Sequence, residues 1–260
     1  MSSPPQSLAT LATTLKSLHT PGNPLILANI YDAPSAMTIA ALPSSKALAT
    51  ASYAVAEAAG TTDDELPLSE LLRSAKIISR VIPPFGKPLS VDIRDGYGDA
   101  LEDAVKALIT EAGAVGINLE DYYQAEGRLY TVSEAVDRIK RVLNVARDLG
   151  VPDFVVNARC DVLVKGRALE EVIDREKAYL AAGATIVFVW GGSGRGGLSR
   201  EEVIRLVEAF GGRLNVLKSG GGLSVKELAE IGVARISVGP LLQGKALKRI
   251  REVAAELLEY

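Results

Sequence analysis

Cysteine and histidine are almost absent from this 260-residue sequence, which contains one of each, Cys160 and His19. A single cysteine excludes an intramolecular disulfide and a CxxC zinc knuckle. A single histidine, in a turn-like segment before the first strand, excludes Ser-His-Asp, Cys-His and two-histidine metal sites. We expect His19 to lie on the surface. We expect Cys160 to be a small core residue, because it follows Arg159 on a strand and points the opposite way.

Long apolar runs and a strong excess of one charge are also missing. No run approaches the roughly 18 residues that a membrane span needs, and the N-terminus lacks the basic and then apolar profile of a signal peptide. The net charge is −3 with both signs interspersed, so no sustained positive field would hold a nucleic acid or an anionic membrane. We therefore predict a cytoplasmic protein without nucleic acid or membrane partners.

What the sequence does contain is a regular alternation of strand and helix patterns. Apolar, strand-like runs occur at 25–30, 46–51, 88–93, 114–119, 153–158, 184–190, 213–218 and 234–238. Helical patterns occur at 68–81, 100–111, 132–149, 169–181, 200–210, 225–231 and 241–258. Such alternation requires parallel strand pairing with crossover helices.

The number of units indicates the fold class. We predict one domain over residues 1–260 with an α/β fold, a (β/α)8 TIM barrel with a short N-terminal helix at 5–18 and a C-terminal helix. An open doubly wound sheet is the alternative, but eight strands and the lack of GxGxxG after the first strand argue against it. In a barrel, functional residues lie where the strands end.

Charged side chains follow several of the predicted strands. Asp92, Glu120 and Arg159 come at or just after three of them. Carboxylates without histidine or thiolate suit a hard cation such as Mg²⁺ or Mn²⁺, and arginine offers a planar fork to a carboxylate or phosphate. These residues therefore predict a small anionic substrate beside a divalent cation.

Serial motifs then connect the chain to a known family. The segments are Asn29-x-x-Asp32-Ala33-x-Ser35-Ala36, Thr50-Ala51-Ser52, Gly60-Thr61-Thr62-Asp63, Asp92-x-x-x-Gly96-Tyr97-Gly98, Gly116-Ile117-Asn118-Leu119-Glu120-Asp121 and Asn157-Ala158-Arg159-x-Asp161. In this order they resemble the motifs of the phosphoenolpyruvate mutase/isocitrate lyase superfamily. The resemblance implies a (β/α)8 barrel that binds Mg²⁺ and a 2-oxo or 2-hydroxy acid, and that makes or breaks a C–C or C–P bond through a pyruvate-like enolate.

The resemblance also implies residue roles. Asp92 would be the direct metal ligand, while Glu120 and Asp63 would hold the metal's waters. Ser52 and the neighbouring amides would cradle the substrate carboxylate, and Arg159 would clamp the other anionic end. The predicted substrate-binding residues are Ser52, Tyr53, Ala54, Asn118, Arg159 and Trp190, and the predicted catalytic residues are Arg159, Ser52 and Arg94.

Three departures from the family pattern are visible. Arg94 stands where relatives usually have a second acid, so it would weaken metal binding, contact the substrate or rotate outward. The Lys-Lys-Cys-Gly-His segment of isocitrate and methylisocitrate lyases is replaced by a polar and aromatic loop after Glu120, which disfavours a tricarboxylate substrate. Trp190 stands where mutase-type members have a histidine, which indicates a changed substrate or a lost step.

The leading hypothesis is an Mg²⁺-dependent lyase-type enzyme that cleaves or decarboxylates a small 2-oxo or 2-hydroxy (di)carboxylate. One alternative is a Schiff-base aldolase that uses Lys218 at the end of the seventh strand. Another is a diverged barrel that binds a ligand or serves an unusual biosynthetic step. Ser219-Gly220-Gly221-Gly222 follows the seventh strand, where barrels often bind phosphate. The resemblance also implies a homo-oligomer, a dimer or tetramer in which the terminal helix packs on a neighbour.

Overall fold

The computed structural model describes residues 6–218 and 220–259, and in this part of the chain eight strands form one parallel sheet. They are β1 (Leu25–Leu27), β2 (Leu48–Ala49), β3 (Leu89–Asp92), β4 (Gly116–Glu120), β7 (Val155–Cys160), β8 (Ile186–Val189), β9 (Leu214–Leu217) and β10 (Arg235–Ser237). Two short strands, β5 (Tyr122–Tyr123) and β6 (Arg128–Leu129), pair antiparallel as a hairpin. Each predicted run contains or overlaps one barrel strand.

The sheet closes on itself. Its neighbour order is β1, β10, β9, β8, β7, β4, β3, β2. A parallel bridge joins Ile30 to Thr50, and the Ile30 amide donates to the Ala49 carbonyl at 2.8 Å. Because this bridge brings the chain after β1 beside β2, the two sheet edges meet, and the predicted (β/α)8 barrel is confirmed.

Most of the helices described pack around this barrel or cap its base, and the last one has Gln243 as its buried residue. The helices are α1 (Leu8–Ser17), α2 (Ala33–Ala40), α3 (Ser52–Ala58), α4 (Leu68–Val81), α5 (Leu101–Ala112), α6 (Val132–Asp148), α7 (Leu169–Ala181), α8 (Arg200–Phe210), α9 (Val225–Ile231) and α10 (Leu241–Leu258). Helices α4 to α10 match the predicted helical patterns. Across the described ranges, no helix combines the length and apolarity needed to cross a membrane.

Helix α1 caps the amino end of the barrel. It is shorter than the predicted 5–18, and Pro5 lies outside the described residues. Ala12 and Leu15 of α1 are fully buried. The tip of Leu15 comes so close to Gly116 of β4 that a Cβ there would lie 3.0 Å from it. A glycine at the start of β4 therefore lets α1 close the base.

His19, expected on the surface, is half-buried. Its Nδ1 lies 2.9 Å from the Leu15 carbonyl, and its Nε2 is buried without a hydrogen-bond partner in the described part of the chain. Burial, together with the charge of Arg235, lowers the pKa of His19 to about 3. The residue is thus a neutral member of the barrel base. Cys160 is fully buried, as expected, and burial raises the pKa of its thiol.

Candidate active site

The carboxyl ends of neighbouring strands bring the predicted charged residues to one mouth of the barrel. In the parallel register Asp92 pairs with Asn118, and Glu120 pairs with Arg159. Paired residues of neighbouring strands point to the same side of the sheet. Trp190 follows β8, and the centre of its ring lies 4.9 Å from Arg159 Cζ. The acids, the arginine and the tryptophan therefore share one surface.

A series of hydrogen bonds between side chains crosses the barrel interior to Asp92. Asn118 Nδ2 donates to Asp92 Oδ1 at 2.9 Å, and Asn157 Nδ2 donates to Asn118 Oδ1 at 2.7 Å. Asn215 continues the series, with its Nδ2 3.5 Å from Asn157 Oδ1 and 3.1 Å from Ser237 Oγ. All four of these polar side chains beyond Asp92 are buried. The series holds the Asp92 carboxylate in one orientation, and it gives the amide of Asn118 a partner other than substrate.

Backbone groups complete the environment of Asp92. The Ser52 amide, at the start of α3, donates to Asp92 Oδ2 at 3.1 Å, and the Arg94 amide lies 3.3 Å from Oδ1. The Asp92 amide in turn donates to Thr50 Oγ1 at 2.9 Å. A carboxylate oxygen has more than one acceptor position, so Asp92 remains able to accept a further ligand.

Asp63 lies in the turn that follows α3 and faces the same region. Its Oδ1 is buried without a hydrogen-bond partner among the residues described. Burial and the nearby Asp92 carboxylate raise the pKa of Asp63. A hydrogen bond from the Ser52 side chain and the charges of Arg94 and Arg159 partly offset that rise. The unpartnered oxygen of Asp63 is therefore available to a ligand or to a water.

Arg159 is held between two carboxylates. Its Nη1 lies 2.6 Å from Glu120 Oε1, and its Nε lies 2.8 Å from Asp161 Oδ1. Burial disfavours the charge of Arg159, but the attraction of Asp161 and Glu120 outweighs it and raises the pKa of the guanidinium. Burial also raises the pKa of Glu120, an effect that Arg159 opposes. The arginine is therefore a rigid cation, with Trp190 stacked against it.

The Arg94 guanidinium packs against the loop that contains Asp64 and Leu66. Its Nη1 and Nη2 lie 3.4 Å and 3.3 Å from the carbonyl oxygens of Leu66 and Asp64. Only 6% of the residue is exposed. The neighbouring Asp95 binds backbone amides, because its two oxygens accept from Tyr97 and Gln124 at 3.1 Å and 3.3 Å. Both residues therefore hold loops at the rim of the mouth.

The polar and aromatic loop after Glu120 forms the β5–β6 hairpin. The rings of Tyr123 and Tyr130 stack with centres 4.9 Å apart. The Arg128 guanidinium lies 5.5 Å and 5.8 Å from the centres of these two rings. Such cation–π contacts stabilise a short hairpin that would be marginal by itself. The hairpin is thus an ordered flap beside the site.

The residues present fit a magnesium ion that takes few protein ligands. Among residues 6–218 and 220–259, no three His, Cys, Asp or Glu side chains converge as a closed metal cluster. Mg²⁺ usually keeps several waters and is held by one or two carboxylates. Asp92, with its fixed orientation, provides one such carboxylate, and Asp63, with its unpartnered oxygen, is able to hold a water of the ion. Glu120 already pairs with Arg159, so it suits a water better than the ion.

Two further features predicted from the sequence follow β9, at the carboxyl ends of the strands. Lys218 follows β9, is half-buried, and its amide donates to the Ser237 carbonyl at 2.8 Å. Ser219 lies outside the described residues. A small pocket opens between β8, β9 and the helices α8 and α9, and apart from Trp190 its lining is aliphatic or glycine. The charged mouth, and not this pocket, carries groups able to do acid–base or anion chemistry.

The structure adds two participants that the sequence patterns do not predict. Asn215 and Ser237 complete the interior hydrogen-bond series although each lies within an apolar strand. A polar residue in a short buried strand is itself a signal, because a buried amide needs partners. If every polar residue in a short buried strand is taken as a candidate group of the barrel interior, Asn215 and Ser237 are both predicted.

The fold and the charged mouth define a (β/α)8 barrel with a polar site at the carboxyl ends of its strands, and the proteins it resembles are enzymes of the lyase and mutase type. The family model described as phosphoenolpyruvate phosphomutase matches residues 15–258. This chain therefore belongs to that family, within the phosphoenolpyruvate mutase/isocitrate lyase superfamily.

Three relatives illustrate the range of similarity. The phosphoenolpyruvate phosphomutase of Streptomyces hygroscopicus is 32% identical over 184 residues, which cover 66% of this chain and 56% of that enzyme. The crystal structure of a Burkholderia cenocepacia J2315 protein described as a phosphonomutase is 34% identical, with a TM-score of 0.86 and coverage of 96% and 99%. An oxaloacetate acetylhydrolase in complex with its product oxalate is 25% identical, with a TM-score of 0.84 and coverage of 98% and 89%.

Proposed function

We propose that the protein is an Mg²⁺-dependent lyase-type enzyme that cleaves or decarboxylates a small 2-oxo or 2-hydroxy (di)carboxylate through a pyruvate-like enolate. The proposal is supported mainly by the arrangement of charged side chains at the barrel mouth. There, an Asp92 carboxylate bound on both oxygens lies beside Arg159, which Glu120 and Asp161 hold in place. The acetylhydrolase relative binds oxalate, a small dicarboxylate of the expected size.

The metal would be held mainly by Asp92, with Asp63 and Glu120 holding its waters. When bound, Mg²⁺ supplies electrostatic stabilisation for negative charge that develops on a substrate oxygen. Mn²⁺ suits the same oxygen donors. The chain itself supplies orientation, since the buried amides of Asn118 and Asn157 keep the Asp92 carboxylate fixed.

The substrate would lie between Arg159 and the start of α3. The Ser52 amide is used by Asp92, but the amides of Tyr53 and Ala54 belong to the first turn, where N–H groups have no partner within the helix. They would receive one carboxylate, and the Arg159 fork would bind the other anionic end. Trp190 packs on Arg159 and would exclude water from that end.

We also propose that the protein is cytoplasmic and forms a homo-oligomer, a dimer or tetramer. The buried, single Cys160 suits a reducing compartment. Helix α10 has Gln243 as its buried residue within the described range, while Leu247, Ile250 and Leu257 are exposed on it. Ile26, on β1, is also 46% exposed. A second copy that covers both apolar surfaces would explain why they are exposed in one chain.

Turnover of a substrate panel tests the proposed function. The protein is incubated with 2-oxo and 2-hydroxy acids, including oxaloacetate, in Mg²⁺ or in chelator, and products are followed by proton NMR. We expect conversion that requires Mg²⁺ and falls by about 100-fold or more in Arg159→Lys, because an ammonium cannot reproduce the two-pronged contact. Conversion that persists in chelator and is trapped by borohydride at Lys218 would favour the Schiff-base alternative, and binding without conversion would favour a diverged barrel.

A further inference from the structure

Arg94 is placed by an unusual backbone conformation. Its φ of 55° lies in the left-handed region, which a residue with a side chain rarely adopts. There its carbonyl accepts from the Glu120 amide at 2.7 Å, and its own amide points to Asp92. The backbone of Arg94 therefore touches both predicted metal residues of the barrel strands, while its side chain extends to the rim.

The guanidinium binds the turn that carries Asp63. Its two terminal nitrogens reach the carbonyls of Asp64 and Leu66, which lie two residues apart on that turn. The turn has internal hydrogen bonds, from the Leu66 amide to the Asp63 carbonyl at 3.3 Å and from Glu65 to Thr62 at 3.1 Å. A planar fork with several donors can hold two carbonyls at once, whereas a lysine ammonium is a point charge on a flexible stem.

The same turn is connected to the hairpin. The Gln124 side-chain amide donates to Asp64 Oδ1, and this oxygen is also 4.0 Å from Arg94 Nη2. The Gln124 backbone amide donates to Asp95 Oδ2 at 3.3 Å. Arg94, the 62–66 turn and the 122–129 hairpin are therefore linked by direct contacts into one rim of the mouth.

We propose that Arg94 is a positioning residue, whose guanidinium holds the 62–66 turn so that Asp63 stays beside Asp92 and the β5–β6 hairpin stays docked. It acts through these two segments and not by touching substrate. The inference depends on the proposed function only where it assigns Asp63 to the waters of a metal ion. It replaces the simpler idea that Arg94 acts as a cation that repels Mg²⁺.

Hydrogen exchange of the full-length protein tests whether Arg94 holds the 62–66 turn and the β5–β6 hairpin in place. The experiment needs neither substrate nor metal. In Arg94→Met we expect amides of 62–66 and 122–129 to exchange about tenfold faster or more, because the docking bonds are lost, while the barrel strands keep wild-type rates. Arg94→Lys keeps the charge and should show the same change, though smaller. Arg73→Met removes an exposed arginine that pairs with Glu70 on α4 and is the control. Wild-type exchange in both segments of Arg94→Met would overturn the proposal.

A second variant separates the two segments. Gln124→Ala cuts the link between the hairpin and the turn but leaves Arg94 on the Asp64 and Leu66 carbonyls. We expect faster exchange in 122–129 alone. Faster exchange of 62–66 to the same extent as in Arg94→Met would show that Gln124, and not Arg94, holds the turn, and would overturn the proposal.

Calorimetric titration with Mg²⁺ distinguishes a positioning role of Arg94 from a purely electrostatic role, because the two roles predict different changes in the affinity for Mg²⁺. If Arg94 positions Asp63, Arg94→Met and Arg94→Lys both weaken Mg²⁺ binding, by about fivefold or more. If Arg94 acts only as a cation, Arg94→Met tightens binding and Arg94→Lys leaves it unchanged, which would overturn the proposal. A wild-type protein that binds no Mg²⁺ would refute the proposed function, and the exchange experiment alone would then decide the role of Arg94.

Discussion

Buried charges in this protein fall into two kinds. Some have charged partners, as Arg159 at the mouth has in Glu120 and Asp161. Glu176, on α7, is fully buried, and both of its carboxylate oxygens lack hydrogen-bond partners in the part of the chain described. Burial, with a contribution from Asp121, raises the pKa of Glu176 well above its ordinary value. Because an ionised carboxylate without a partner is costly in a protein interior, we expect Glu176 to be protonated near neutral pH.

Glu176→Gln should change how stability depends on pH. The folded protein keeps a proton on Glu176 that the unfolded chain releases above about pH 4.3. The free energy of unfolding therefore falls as pH rises from there towards the raised folded-state pKa, by at most about 1.4 kcal/mol per pH unit. Urea unfolding between pH 5 and 8 should show that Glu176→Gln gains stability relative to wild type as pH rises. The exposed Glu201→Gln is the control, and equal slopes for wild type and Glu176→Gln would contradict the assignment.

Individual residues differ in how far the sequence predicts them. Asp92 and Arg159 follow from position alone, because residues at the carboxyl ends of parallel strands meet at one mouth. The direction of Arg94 does not follow, since it depends on a left-handed backbone residue and on where a distant loop presents its carbonyls. The partial burial of His19 depends in the same way on how α1 closes the base. The spacing of residues in the sequence predicts where the backbone places a residue. The contacts of a long side chain depend in addition on how distant segments pack around it.

The loop between β3 and α5 presents Arg94 and Asp95 to the rim, and its shape depends on Gly96. The φ of Gly96 is 74°, and a Cβ there would overlap Leu101 and lie 3.0 Å from Arg138 Nη2. Gly150 has a similar φ of 77°, but nothing lies within 4 Å of its Cβ position. The two glycines thus have similar backbone conformations but differ in the space available for a side chain.

Gly96→Ala should be much more harmful than Gly150→Ala. We expect Gly150→Ala to cost about 1 kcal/mol, which is the strain of a left-handed alanine. Gly96→Ala adds a clash in a packed core, so a total cost of about 3 kcal/mol is expected. Chemical denaturation of both variants measures the difference. Equal losses would show that the loop can move, and that close packing around Gly96 does not set its shape.

Regular elements were predicted well where hydrophobic periodicity was strong. Helix α10 has the predicted bounds, and all barrel strands lie at predicted runs. Helices α2 and α3 are missing from the predictions, because short segments of mostly small residues carry no clear period of 3.6. The β5–β6 hairpin was predicted only as a loop. Its strands have two residues each, which is too short for a period-two pattern.

The assembly of whole molecules depends on the exposed face of α10. Ile250 and Leu257 are 63% and 71% exposed, so a charge at these positions should leave the barrel folded. We expect the double variant Ile250→Glu, Leu257→Glu to be monomeric, whereas the wild type is a dimer or tetramer by light scattering. Lys248→Glu, which lies on the opposite face of the helix by its spacing, is the control. A wild-type monomer would contradict the proposed homo-oligomer.

The central claim is that the barrel mouth binds a small dicarboxylate together with Mg²⁺ at Asp92. Titration calorimetry with oxalate, in Mg²⁺ and in chelator, measures this directly for wild type and Asp92→Asn. We expect oxalate binding to the wild type that requires Mg²⁺ and weakens by about 100-fold or more in Asp92→Asn, because the direct carboxylate ligand is lost. Oxalate binding of equal strength in chelator, or unchanged binding in Asp92→Asn, would contradict it.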